Sequence, residues 1–284
     1  MAKNLFFNAE HRFRNGWWIV VFFLLMAAML VPRIILAQRD GEKVPPLDQG
    51  AILAVASLSC QLLRRRPLAE MVGPFNWQWP KLFGLGSLLG AALMLAPALV
   101  LCAFGLVEWR MGSMSISLLL PTVTLVAGGA LIEELMFRGF VFQRIIDGLG
   151  EWPAQLILGG LFLLTHADTL HVAGGQRFMA SANIFLASVM FGLAFIRTRS
   201  LAMPLGLHFA ANFVQGSVLG FGVSGNDQPS LAVPFFGSSP DWLTGGAFGL
   251  EASAPGFVSV IVTVIILLRW TPATRSASTA LETK

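Results

Sequence analysis

The chain has 284 residues, of which 55% are hydrophobic and only 12% are charged. An average soluble domain is about one-quarter charged, so this composition excludes a soluble globular enzyme and a disordered chain. The net charge of +4 does not indicate nucleic-acid binding, because the basic residues cluster at the ends of apolar segments. The sequence therefore predicts an integral membrane protein.

Eight apolar stretches follow one another and predict an all-α fold, a polytopic transmembrane helical bundle. They lie at about 17–37, 50–63, 82–107, 116–137, 153–170, 179–197, 201–222 and 255–270. With the N-terminus inside and eight crossings, 14 of the 19 lysine and arginine residues lie on the inner side, as the positive-inside rule expects. We therefore expect cytoplasmic N- and C-termini, and a short second stretch that crosses the membrane.

The third stretch carries two glycines at the spacing that is typical of close helix packing. Gly86 and Gly90 are four residues apart and therefore share one helix face. Small residues on such a face let the backbones of two membrane helices approach each other closely. We expect a neighbouring helix to pack against these glycines.

The fourth stretch contains three charged side chains, Glu133, Glu134 and Arg138. A charge near the centre of a bilayer costs at least a few kcal/mol and implies a partner, a cavity or a function. Glu134 and Arg138 can pair on one helix face, whereas Glu133 points about 100° away. Two interpretations stay open: an ion pair that only locks helix packing, or a site in which Glu133 is a general base beside a structural Glu134.

Two of the four histidines also lie in apolar stretches. His166 follows Phe162 by four residues, and His208 precedes Asn212 by four, so that the imidazole and the amide can face one cavity. A single membrane histidine is usually hydrogen-bonded within the bundle, but two histidines beside a buried carboxylate favour a site. The other two are interpreted as solvated residues, namely His11 and His171.

The connection at about 223–254 is the long one in this sequence, and it contains no lysine or arginine. It predicts a mobile external loop, with a lid or a re-entrant segment as the alternative. At its start, Gly222 to Gly225 resembles the Gly-x-Ser-Gly of rhomboid serine proteases, but no histidine follows Ser224, so we expect a turn there. The tail 271–284 is predicted to be a disordered cytoplasmic segment, which leaves 1–270 as a single membrane domain.

Taken together, the polar motifs resemble a known family. Glu-Glu-x-x-x-Arg, Phe-x-x-x-His and His-x-x-x-Asn follow in this order within about 121–216 and resemble the CAAX-protease and bacteriocin-processing (Abi) family, of the CAAX prenyl protease type II kind. Arg199 stands where the family usually has glycine, a minor departure. The resemblance implies a multi-pass α-helical intramembrane endopeptidase with a water-filled chamber inside the membrane.

The resemblance also implies roles for individual residues. Glu133 would activate the hydrolytic water, His166 and His208 would orient that water or hold a metal, and Asn212 would help to stabilise the oxyanion. The rest of the first motif would hold the helix that carries the base: Glu134 and Arg138. Zinc is the cofactor considered, with His166, His208 and Glu133 as ligands, but a ligated Glu133 could not act freely as the base. The choice between a metalloprotease and a glutamate protease therefore stays open.

These roles require the three motifs to converge. His166, on a helix that starts near Trp152, would lie nearer the outer face than Glu133 and His208, so we expect that helix to be tilted or to start deeper. The expected partners are a peptide or membrane-protein substrate and the lipid bilayer, in a bacterial plasma (inner) membrane, without nucleic acid. The alternatives are a non-catalytic membrane immunity or signalling protein and a small-solute transporter.

Overall fold

The computed structural model describes residues 5–7, 11–167, 171–172 and 174–270, and its architecture is predominantly helical. Each of the eight apolar stretches contains a helix among its described residues, so the prediction of an all-α fold is confirmed. The helices are α1 (Asn15–Arg39), α2 (Pro46–Leu63), α3 (Ala69–Val72), α4 (Gln78–Ala103), α5 (Ile116–Phe137), α6 (Phe140–Leu149), α7 (Glu151–Thr165), α8 (Gly174–Thr198), α9 (Ala202–Asn212), α10 (Asp241–Thr244) and α11 (Ala254–Arg269). A π-helical turn, Phe213–Val218, continues α9, and a 3-10 turn, Leu250–Ala252, precedes α11.

Length and composition make four of the described helical segments candidates to cross a membrane. They are Asn15–Arg39, Gln78–Ala103, Ile116–Leu149 and Gly174–Thr198, and α11 is a shorter apolar helix. The structure is therefore that of an integral membrane helical bundle, while the count of eight crossings and the side of the termini stay predictions. The predicted disordered tail lies outside the described residues.

The structure adds elements that the hydropathy pattern did not predict. Strands β1 (Glu108–Met111) and β2 (Ala232–Phe235) form an antiparallel ribbon. The segment 223–254, for which a mobile loop was the first expectation, contains β2, α10 and the 3-10 turn, and its Phe248 and Leu250 are buried. It packs against the bundle because these apolar side chains leave water.

The predicted close packing at the two glycines of α4 is confirmed, and the partner helix is α9. A Cβ atom added at Gly86 would overlap the carbonyl oxygen of Met203, and one added at Gly90 would overlap the carbonyl oxygen of Leu207. The two backbones are therefore in direct contact. Because α9 carries His208, this contact fixes the depth and rotation of a candidate site residue.

Substituting Gly90 with alanine should lower the free energy of unfolding by about 1–3 kcal/mol, because the added methyl group forces α4 and α9 apart. Thermal unfolding of the purified protein would measure the change. Gly84→Ala is the matched control on the same helix, since no atom lies within 4 Å of a Cβ added there. Equal effects of the two substitutions would contradict the close contact between the helices.

Candidate active site

The site is organised around Arg138, which follows α5 directly and has a side chain that is only 1% exposed. Its Nη1 donates a hydrogen bond to Glu134 Oε1 over 3.2 Å. Its Nη2 donates to the carbonyl oxygen and to Oγ of Ser188 on α8, over 2.9 and 2.8 Å. A buried charge without partners would be strongly unfavourable, and these bonds compensate the guanidinium. The pairing that the four-residue spacing predicted is therefore present.

Two phenylalanine rings connect Arg138 to the two candidate histidines. The Arg138 Cζ atom lies 5.1 Å from the ring centroid of Phe162 and 5.1 Å from that of Phe191. Phe162 contacts His166 with 4.6 Å between ring centroids, and Phe191 stacks on His208 at 4.5 Å. Each ring thus contacts the guanidinium on one side and an imidazole elsewhere, an arrangement that orients both histidines.

His208 lies between the two glutamates. Its Nδ1 is 2.8 Å from Glu134 Oε1, and its Nε2 is 3.7 Å from Glu133 Oε2. With the Nδ1 hydrogen donated to Glu134, the ring is fixed with Nε2 directed towards Glu133. The two carboxylates differ in environment, because the Glu133 side chain is 34% exposed and that of Glu134 is 1% exposed.

All four residues for which catalytic roles were considered line one cavity of about 550 Å³: Glu133, His166, His208 and Asn212. The predicted convergence of the motifs is therefore observed. Helix α7 ends at Thr165, so His166 is the first residue after the helix, and its Nδ1 donates to the carbonyl oxygen of Phe162 over 2.8 Å. The two remaining histidines, His11 and His171, are exposed and do not line the cavity.

Sequence reasoning gave no role in the site to several polar residues on the cavity wall, among them Ser224, Glu251 and Asn183. Glu251 Oε2 accepts hydrogen bonds from the Ser224 backbone N–H over 3.2 Å and from Ser224 Oγ over 2.8 Å. Asn183 Nδ2 on α8 donates to the Glu251 carbonyl oxygen over 2.8 Å. The predicted turn is confirmed, since the backbones of Val223 and Asn226 hydrogen-bond to each other. This turn also places Ser224 on the cavity wall. A lone carboxylate in an apolar setting was the one sequence feature that could have pointed to Glu251.

Glu251 lies in the 3-10 turn, outside the candidate membrane spans. Burial raises the pKa of its carboxyl group, and the hydrogen bond from the Ser224 hydroxyl group partly opposes that rise. A carboxyl group with a raised pKa exchanges protons closer to neutral pH. The cavity wall therefore carries a second acidic group, Glu251, in addition to Glu133 of α5.

The geometry of the predicted metal ligands can be tested against the structure. Across the described ranges, no three His, Cys, Asp or Glu side chains form a group that could hold a metal ion. His166, His208 and Glu133 line one cavity, but their side chains do not form such a group. The arrangement of these residues does not fit a three-ligand site.

Comparison with known proteins addresses the resemblance directly. Residues 115–214 match the Rce1-like family model, described as type II CAAX prenyl endopeptidase Rce1-like. The matched segment runs from the residue before α5 to the π-helical turn, and it contains all three polar motifs. The resemblance to the CAAX-protease family is therefore confirmed over this segment, while Ser224 and Glu251 lie beyond it. No curated protein and no solved structure matches the chain.

Proposed function

Because its segment 115–214 is Rce1-like, we propose that this membrane protein is an intramembrane endopeptidase of the CAAX-protease type, which hydrolyses a peptide bond with a water activated by Glu133. One observation carries the assignment of the base. Glu134 accepts hydrogen bonds from Arg138 and His208, whereas the partly exposed Glu133 lines the cavity. A carboxylate that abstracts a proton needs this access to the reacting water.

The distance between His208 and Glu133 supports a water-activating role. At 3.7 Å, Nε2 of His208 and Oε2 of Glu133 are too far apart for a direct hydrogen bond, and a water that contacts both groups is compatible with this separation. In this mechanism the water attacks the peptide carbonyl carbon as its proton passes to Glu133. The proton then goes to the departing amine as the carbon–nitrogen bond breaks.

The charge that develops on the carbonyl oxygen needs donors on the cavity wall. The side-chain amide of Asn212 lines the same cavity as Glu133 and is our candidate donor, whereas the imidazole of His166 is proposed to orient the water. Such preoriented donors usually contribute several kcal/mol to the stabilisation of an oxyanion.

The substrate class follows from the rest of the wall. Apolar side chains such as Leu93, Met94 and Met136 line the cavity beside the polar cluster. A volume of about 550 Å³ suits a short peptide segment with an apolar side chain. We propose a peptide or a membrane-protein segment as the substrate.

The proposal can be tested by assaying a peptide library with purified protein in nanodiscs. His208→Ala should lower the cleavage rate by about 100-fold or more, because the water loses the group that orients it. The matched control is His171→Ala, which changes an exposed histidine outside the cavity and should leave the rate unchanged. The same samples would be analysed for bound zinc.

The cleavage assay and the zinc analysis can each contradict a part of this proposal. Absence of cleavage by the wild type across the library would contradict the proposed enzyme and favour the non-catalytic membrane protein. Cleavage that is equal in wild type and His208→Ala would contradict the role of the histidine. Stoichiometric zinc that is lost in His208→Ala would overturn the metal-independent mechanism.

A further inference from the structure

A second cavity, of about 950 Å³, lies at the start of α1, between this helix, the end of α2 and the end of α6. It shares no lining residue with the candidate active site. Its wall contains five arginines and one aspartate: Arg12, Arg14, Arg64, Arg66, Arg144 and Asp147. This excess of guanidinium groups gives the cavity a positive potential, which attracts anions.

Arg144 carries a buried hydrogen-bond donor for which the described residues supply no acceptor. Its side chain is 5% exposed, and its Nη1 pairs with Asp147 Oδ2 over 2.9 Å. Its Nε is buried and has no hydrogen-bond partner within the described part of the chain. Because an unsatisfied buried donor costs about 1–3 kcal/mol, an acceptor on a bound anion would stabilise this arrangement.

Arg64 and the beginning of α1 reinforce the same preference for an anion. The pKa of Arg64 is lowered to about 10, chiefly by burial and further by the nearby Arg144, and the group stays protonated at neutral pH. Helix α1 has 25 residues, no side-chain cap and no acidic residue in its first turn, and its first residues Asn15 and Gly16 line the cavity. The N-terminus of a helix attracts negative charge through its dipole and its unpaired N–H groups.

The surroundings of the cavity indicate a lipid. Trp17 and Trp18 line it, and tryptophan is enriched at the depth of the lipid headgroups. Val20 and Leu63, which also line it, are 43% and 63% exposed, so apolar side chains continue from the arginines towards the membrane. An anionic head beside an apolar surface matches the two parts of a phospholipid.

We propose that this cavity binds the phosphate group of an anionic phospholipid, with Arg144 and Arg64 as its principal donors. Arginine suits this ligand because its planar group can donate two parallel hydrogen bonds to phosphate oxygens. Basic cavities between membrane helices at the inner surface bind such headgroups. The site is independent of the proposed peptidase chemistry, because it shares no residue with it.

Native mass spectrometry of the purified full-length protein would test the proposal, with phosphatidylglycerol and phosphatidylcholine as probes. Phosphatidylglycerol should bind about tenfold more tightly than phosphatidylcholine. The double variant Arg144→Gln, Arg64→Gln should bind phosphatidylglycerol about tenfold or more weakly than the wild type. The control is Arg269→Gln, which removes one guanidinium charge from an exposed position at the end of α11, outside the cavity. This control should bind phosphatidylglycerol as the wild type does.

Thermal unfolding would show whether each variant is folded. If variants that carry Arg144→Gln do not fold, the binding of phosphatidylglycerol by Arg64→Gln alone tests the proposal. Equal binding of the two lipids by the wild type would overturn the proposal, as would unchanged phosphatidylglycerol binding by the folded cavity variants. Inorganic phosphate is the third probe. If it displaces phosphatidylglycerol at a similar concentration, the cavity is a site for free phosphate and the lipid assignment is wrong.

Discussion

Replacing Glu133 with glutamine should lower the rate of peptide cleavage by about 10²–10⁴-fold, because the amide cannot accept a proton from the attacking water. The substitution keeps the size of the side chain, and Glu133 is partly exposed, so the fold should be retained. Single-turnover cleavage of the best library peptide would measure the loss. Binding of that peptide should change little, since glutamine preserves the cavity wall.

Glu134→Gln is the matched control for this experiment, since the adjacent carboxylate receives the same change. Glu134 pairs with Arg138 and His208, so its loss should lower the melting temperature as well as the rate. Glu133→Gln should lower the rate alone. If Glu133→Gln cleaves as fast as the wild type, another group activates the water; Glu251 is then the next carboxylate on the cavity wall.

Replacing Arg138 with methionine should lower the free energy of unfolding by about 3–5 kcal/mol, because Glu134 would remain as a buried charge without its cationic partner. The change also removes the two hydrogen bonds to Ser188 that join α5 to α8. Denaturation of the purified protein in detergent would measure the loss. Combining Arg138→Met with Glu134→Gln should recover part of it, since the unpaired charge disappears.

Arg199→Met provides the matched control, because it breaks another arginine–glutamate pair. Arg199 lies 2.9 Å from Glu151, but the two side chains are 52% and 42% exposed. Exposed pairs contribute about 0–1 kcal/mol, so this substitution should have a small effect. Similar losses for Arg199→Met and Arg138→Met would contradict the structural role assigned to the buried pair.

The parts of the site that could be predicted are those in which helix geometry alone sets the neighbours. Glu134 and Arg138 are four residues apart, and one turn of helix brings them together in any tertiary context. The same reasoning predicted the glycine face of α4. It could not identify α9 as the partner of that face, because helix pairing depends on the whole bundle.

Contacts between residues distant in sequence were beyond such reasoning. Ser224 and Glu251 are 27 residues apart, and Trp109 Nε1 donates to the Leu219 carbonyl oxygen 110 residues away. Ser224 and Glu251 both lie in the segment 223–254, which lacks the periodicity of a membrane helix, so hydropathy described it as a connection. The short ribbon of β1 and β2 escaped prediction for the same reason, since its strands gain their stability from each other rather than from local propensity.

One guanidinium group, that of Arg138, contacts two phenylalanine rings, and each ring contacts one of the two histidines. In the proposed enzyme, an apolar side chain of the peptide that packs on the ring of Phe191 would press this ring against Arg138, which its hydrogen bonds hold in place, and against His208. Binding energy gained by this side chain, away from the bond to be cleaved, would then help to align the imidazole of His208 for reaction. A truncated peptide would in that case be cleaved slowly even when it is fully bound.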